Sequence, residues 1–157
     1  MQAIVMRVDG LTFAGKADSG HWVPMDGKTE SGGHDGASTP KELLLLALGG
    51  CTAFDVEGVL RKRRQDVRRL TVELDADVAA EHPKVFTEVR ITFRIEGSAT
   101  AADVERAVRL SQEKYCSVSA MLRRAFPIRW SALVNGEEVA SGIEGAAVAE
   151  TPGKRPE

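Results

Sequence analysis

The stretch TPKELLLLALGGCTAFDVEG, from Thr39 to Gly58, decides how the rest of the chain is read. Its opening puts a hydroxyl at a helix N-cap, a proline at the first helical position and Glu42 at the third, which is a capping box. Leucines follow, so a helix starts at Thr39 and is expected to reach about Gln65. Its middle is apolar on every side, the pattern of a helix buried in a core instead of one lying on a surface. Inside that run come Gly49, Gly50 and Cys51. A glycine costs roughly 1 kcal/mol relative to alanine in a helix interior, so the pair weakens the helix by about 2 kcal/mol. A bare backbone offsets that by letting another element approach closely, and it clears space beside Cys51 for a small ligand.

Upstream, AIVMRVDGLTFAGKA alternates apolar and polar residues on either side of Asp9-Gly10, a tight-turn hairpin signal, and HWVPMD can continue the sheet. The segment from Gly27 to Ser38 is mostly glycine and polar residues and reads as a loop; it lacks the lysine and hydroxyl spacing of a phosphate-binding loop. Downstream, RKRRQDVRR places cations at a helix C-terminus, where the dipole favours them. Leu70, Val72, Leu74, Ala76 and Val78 then alternate with polar residues, as do Val89, Ile91, Phe93 and Ile95. This predicts an antiparallel pair joined through AEHPK, with one dry face and one wet. Thr100 and Asp103 open a second helix striped by Val104, Ala107, Val108 and Leu110, and a short third helix begins at Cys116. PIRWSALVNGEE supplies a last strand and an Asn-Gly turn. The order predicts an α+β domain, helices on antiparallel sheet, over residues 1–141, with 142–157 an aperiodic, disordered tail.

The chain has 157 residues, 43% hydrophobic and 28% charged, with a formal net charge of -2. That is a soluble globular profile and argues against a general nucleic-acid binder. No secretory leader is expected at the N-terminus, and the charge-free apolar run from Leu43 to Phe54 falls short of the roughly 20 residues that span a bilayer. A cytoplasmic protein is expected, with no membrane or nucleic-acid partner. In that compartment two cysteines point to redox, metal or packing roles and not to a permanent disulfide.

Cys51 on its own reads as a small buried hydrophobe. Cys116 reads differently, because the positive end of a helix dipole lowers a thiol pKa. A cysteine behind glycines and another at a helix start suggest a nucleophile and its resolving partner. Asp55, one turn after Cys51, would raise a neighbouring thiol pKa by like-charge repulsion unless a cation intervenes. Lys28, Lys41 and the basic cluster are the candidate cations. His21, His34 and His82 show no ligand spacing, so neither a metal nor a cofactor is expected.

STPKELLLLALGGCTAFDV together with KYCSVSAML resembles the OsmC/Ohr family of osmotically inducible and organic hydroperoxide resistance proteins, in particular its YhfA-like subgroup. The resemblance runs from about residue 2 to 140. It implies an OsmC-like α+β fold with long central helices, an intertwined homodimer, and a thiol peroxidase site near the subunit interface. It assigns Cys51 as the peroxide-attacking cysteine and Cys116 as the resolving one. It also implies an arginine from the N-terminal half and a glutamate soon after the helix-opening proline. Arg7 is the one arginine before Cys51, and it falls in the first strand; the glutamate position falls on Lys41, with Glu42 next to it. From Glu42 to Cys51 a helix turns by about 900° and rises about 13 Å, so Glu42 could act only from a partner subunit.

Two function classes follow. One is a peroxidase for oxidative stress defence, in which Cys51 forms a sulfenic acid and then a disulfide with Cys116, reduced by an external dithiol such as dihydrolipoamide. The other is a non-catalytic or differently acting dimer of the same fold that binds a small apolar or thiol-reactive molecule.

Overall fold

The computed structural model of the chain describes residues 1–145. They fall into two compact units, the first ending at Leu46 and the second beginning at Ala47, where the sequence suggested one domain.

In the first unit, β1 (Ala3–Asp9), β2 (Thr12–Ala17) and β3 (Trp22–Met25) form an antiparallel sheet in that order. The β1–β2 turn passes through Gly10 at φ 49°, a left-handed conformation that glycine adopts without strain. The loop after β3 is organised by Asp26, which is only 2% exposed. Its carboxylate accepts from the backbone N–H groups of Gly27 (2.8 Å), His34 (3.1 Å) and Gly36 (3.0 Å), and from the Thr12 hydroxyl (3.3 Å). The Gly36 N–H is the foremost of the contacts that hold Asp26 below the ordinary carboxylate range. The loop is therefore built around a buried charge, which its glycine-rich composition did not reveal.

Helix α1 (Pro40–Lys62) begins in the first unit and ends in the second. Its capping box forms as expected: the Thr39 hydroxyl accepts from Glu42 N–H (3.3 Å), and the Glu42 carboxylate accepts from Thr39 N–H (2.7 Å). The all-round apolar reading predicted full burial, and within a single chain only one face is covered. Leu48, Gly49, Thr52, Val56 and Leu60 are buried, but Leu44 and Leu46 are exposed and Phe54 is 84% exposed. By length and hydropathy α1 could cross a bilayer, yet its buried face is a protein-packing face.

The second unit carries β4 (Val67–Val78), β5 (Phe86–Gly97), β6 (Ile128–Val134) and β7 (Glu137–Glu144) in that spatial order. The β4–β5 pair is antiparallel, with Leu70 opposite Ile95 and Leu74 opposite Ile91. Val89, Ile91, Phe93 and Ile95 are buried, as the alternation predicted. β5 and β6 run parallel, where antiparallel pairing was expected. The intervening chain folds as α2 (Ala101–Leu110), a π-helical turn (Ser111–Tyr115) and α3 (Ser117–Leu122), and a crossover of that kind returns the next strand in the same direction. β6 turns into β7 at Asn135-Gly136, both with positive φ, and the pairing of Ile128 with Glu144 carries β7 three residues into the expected tail. The remainder of that tail, residues 146–157, lies outside the described residues.

Candidate active site

The second unit is held at one place by hydrogen bonds between buried side chains. α2 continues its apolar stripe of Val104, Ala107 and Val108 onto Ser111, a polar residue in a core-facing phase. There the helix widens into the π turn, closed by a bond from Cys116 N–H to the Ser111 carbonyl (2.9 Å). Such turns are frequent at functional sites, because the extra residue re-aims the side chains around it. Here it brings Ser111 and Gln112 inward, exposed by 0% and 1%.

Four buried residues form a directional chain. Ser111 Oγ donates to the Asp55 carboxylate (3.1 Å) and also lies 2.7 Å from Thr52 Oγ1. A serine has one hydroxyl proton, so Thr52 must be the donor of that second bond. Thr52 in turn accepts from Gln112 Nε2 (2.6 Å), and Ser119 Oγ donates to Gln112 Oε1 (3.0 Å). The polar groups of these buried side chains are thus paired, which a core of this density requires. Arg123 closes the end of the chain by donating to the Gln112 carbonyl (3.1 Å) and facing Glu144 (3.4 Å).

At the other end of the chain lie the two cysteines. Cys51 and Asp55 sit one turn apart on α1, and Cys116 is the N-cap of α3, its Sγ accepting from Ser119 N–H (3.3 Å). The Cys51 and Cys116 sulfurs and a carboxylate oxygen of Asp55 all lie within 4.8 Å of one another. Cys51 is partly exposed and Cys116 is 2% exposed. The expectation that a helix start would lower the Cys116 pKa is corrected. Burial pushes the thiol up to about 12, against the lowering contact from Ser119 N–H, and the neighbouring Cys51 thiol and Asp55 carboxylate raise it further. α3 is a helix of only six residues, so little dipole stands against that desolvation.

Gly49 and Gly50 have separate accounts. A Cβ at Gly49 would meet Leu74 Cδ1 of β4 at 2.6 Å, so the missing side chain allows close packing. A Cβ at Gly50 would meet nothing within 4 Å. Beside Asp55, a cleft of about 510 Å³ is lined by Phe54, Asp55, Gly58, Val59, Lys62 and Tyr115.

Residues 33–131 match the family model described as OsmC-like protein. The chain belongs to the OsmC family. Protein YhfA of Escherichia coli (strain K12) is 47% identical over 132 residues, covering 83% of this chain and 96% of that protein. A crystal structure of a hypothetical protein from Aquifex aeolicus VF5 is 30% identical with a TM-score of 0.76, over 85% of this chain and 95% of that one. The organic hydroperoxide resistance protein OsmC of Legionella pneumophila shares the fold at 19% identity, with a TM-score of 0.64 over 84% and 96% of the two chains.

Among the residues marked in the sequence of this OsmC-family chain, Cys51, Asp55 and Cys116 meet. Glu42 is taken up in the capping box, where the Thr39 backbone N–H holds its carboxyl below the ordinary range. Lys28 and Lys41 belong to the first unit, and Arg7 lies in β1. In the basic cluster Arg63 pairs with Asp103 and Arg61 with Glu57 (3.9 Å), while Lys62 shares the cleft wall with Asp55. Sequence reasoning missed Thr52, Ser111, Gln112 and Ser119. The available signal was Ser111 in an apolar helical phase.

Proposed function

We propose that the protein is a cytoplasmic, homodimeric, thiol-dependent peroxidase that reduces organic hydroperoxides, with Cys51 as nucleophile and Cys116 as resolving thiol. The observation that carries this reading is the meeting of the two sulfurs within 4.8 Å from distant points in the chain. In the first step the Cys51 proton passes to a base, and the Asp55 carboxylate, within 4.8 Å of the sulfur, can take it through one bridging water. The thiolate attacks the distal peroxide oxygen, the O–O bond breaks, and the alkoxide leaves with that proton as an alcohol. Cys51 is now a sulfenic acid. In the second step the Cys116 sulfur displaces the sulfenic hydroxyl, and the thiol proton of Cys116 leaves with it as water. An external dithiol, such as dihydrolipoamide, then reduces the disulfide by exchange.

The unequal environments suit the unequal roles. Cys51 is the accessible sulfur; Cys116 is buried with a raised pKa, so its proton must pass to the departing hydroxyl as the sulfur attacks. The apolar walls of the adjacent cleft, Phe54, Val59 and Tyr115, suit an organic tail, and its volume is in the range of small-molecule sites. The homodimer is supported by exposed apolar residues that a folded chain rarely leaves uncovered: Ile4, Val5, Met6 and Val8 of β1, and Leu44, Leu46 and Phe54 of α1. The family pattern's glutamate position falls on Lys41, and Glu42 next to it is the candidate that the partner subunit offers to the site in that dimer.

The test is turnover of an organic hydroperoxide by purified protein with dihydrolipoamide as reductant. Steady consumption by the wild type and none by Cys51→Ser is expected. No turnover across several hydroperoxides would replace this reading with that of a dimeric binder of a small apolar or thiol-reactive molecule.

A further inference from the structure

We propose that the reduced site is also a binding site for one soft divalent cation, Zn²⁺ or its congener Cd²⁺, held by Cys51 Sγ, Asp55 and Cys116 Sγ. The sequence had no partner to offer the two cysteines as metal ligands. The fold supplies one, since a carboxylate oxygen and both sulfurs lie within 4.8 Å of one another.

The donor set fits the ion. Zn²⁺ binds thiolate sulfur at about 2.3 Å and carboxylate oxygen at about 2.0–2.2 Å, so tetrahedral donors stand about 3.5–3.8 Å apart. The three groups therefore need to close by at most about 1.3 Å, within the reach of side-chain rotation. Thiolate ligands select soft and borderline ions over Mg²⁺ or Ca²⁺. Three protein donors leave a fourth position for water or a small ligand.

The surroundings orient the donors as second-layer partners do in metal sites. Ser111 Oγ holds one oxygen of Asp55 (3.1 Å) and is itself held by Thr52, while Ser119 N–H fixes Cys116 Sγ (3.3 Å). Charge also argues for a cation. Two thiolates beside a carboxylate repel one another, and a divalent ion relieves that repulsion by replacing the two thiol protons, which leave to solvent. Asp55 also lines a cleft with Phe54, Gly58 and Tyr115, and Cys51 is itself partly exposed, so two of the three donors meet solvent.

This inference requires only that both cysteines be reduced, so it stands or falls independently of peroxidase activity. The test is titration of the fully reduced protein with Cd²⁺ in the absence of peroxide, read by the ultraviolet thiolate-to-metal charge-transfer band and by mass spectrometry under native conditions. One ion per chain is expected. Cys51→Ser and Cys116→Ser should each halve the band and weaken binding. Asp55→Asn, which keeps both sulfurs and nearly the same shape, should weaken it by at least about tenfold; Asp55→Ser is a second variant with the same expectation. Protein oxidised to the disulfide should not bind. Absence of the band in the reduced wild type would overturn the proposal, as would affinity unchanged in either Asp55 variant that retains the wild-type circular dichroism spectrum.

Discussion

A carboxylate oxygen of Asp55 and the sulfur of Cys116 lie within 4.8 Å of each other, although one belongs to the middle of α1 and the other caps α3. The negative charge adds to burial in raising the Cys116 thiol to about 12. Removing it should bring the pKa down. In a metal-free Cys51→Ser background, thiolate absorbance should rise only in strongly alkaline solution, and in Cys51→Ser/Asp55→Asn the rise should come at lower pH. An unmoved titration would mean that Asp55 does not act on Cys116.

Peroxide chemistry should separate the two sulfurs. One equivalent of a hydroperoxide should remove two hydrogens from the wild type as an intrachain Cys51–Cys116 disulfide forms. Cys116→Ser should stop at sulfenic or overoxidised Cys51, since no thiol is left to trap the first product. Cys51→Ser should not react. Mass spectrometry reads all three, and oxidation of Cys116 ahead of Cys51 would reverse the assignment.

The glycines make opposite predictions. Gly50→Ala adds a methyl to open space and gains helix propensity, so it should stabilise by about 1 kcal/mol. Gly49→Ala gains the same propensity but forces aside the Leu74 methyl at 2.6 Å, so it should be near neutral. Gly142→Ala would meet the Trp130 ring at 2.5 Å, and Trp130 is itself buried, so a loss of about 1–3 kcal/mol is expected. Urea unfolding measures each. A destabilising Gly50→Ala would indicate that a partner subunit packs on that face.

Asp26 should give the first unit an acid-sensitive stability. Its folded pKa lies below the ordinary 3.8, so its contribution is present above that value and is lost as pH falls through the lower folded one. Asp26→Asn should be less stable than wild type at neutral pH, because an amide cannot accept at both ends from Gly27, His34 and Gly36. Thermal melts across a pH series should show the gap narrowing in acid; a gap independent of pH would contradict the role.

The contribution of the last residues of β7 can be tested by truncation. A chain ending at Ser141 loses the pairing of Gly142, Ile143 and Glu144 with Trp130, Arg129 and Ile128, and the Glu144 carboxylate facing Arg123. It should melt lower than a chain ending at Gly145. Equal melting temperatures would place these residues outside the cooperative fold.

What the sequence determined by itself was local. Thr39-Pro40 with Glu42 started a helix because the cap is satisfied within one turn, and Asp9-Gly10 and Asn135-Gly136 turned hairpins because few residues tolerate those dihedrals. Alternation in β4 and β5 marked the dry face because strand side chains point to opposite sides in turn. The motif around the two cysteines carried the family. Tertiary structure decided what depends on distance and desolvation. α1 is buried along one face only, because nothing in a sequence period says how much of an apolar helix its own chain will cover. The parallel pairing of β5 and β6 follows from the path of the intervening helices. Cys116 sits at a helix start, as its sequence context suggested, but burial and the approach of Cys51 and Asp55 outweigh the short dipole and reverse the expected shift. That approach joins α1 to the start of α3, and no local pattern encodes it.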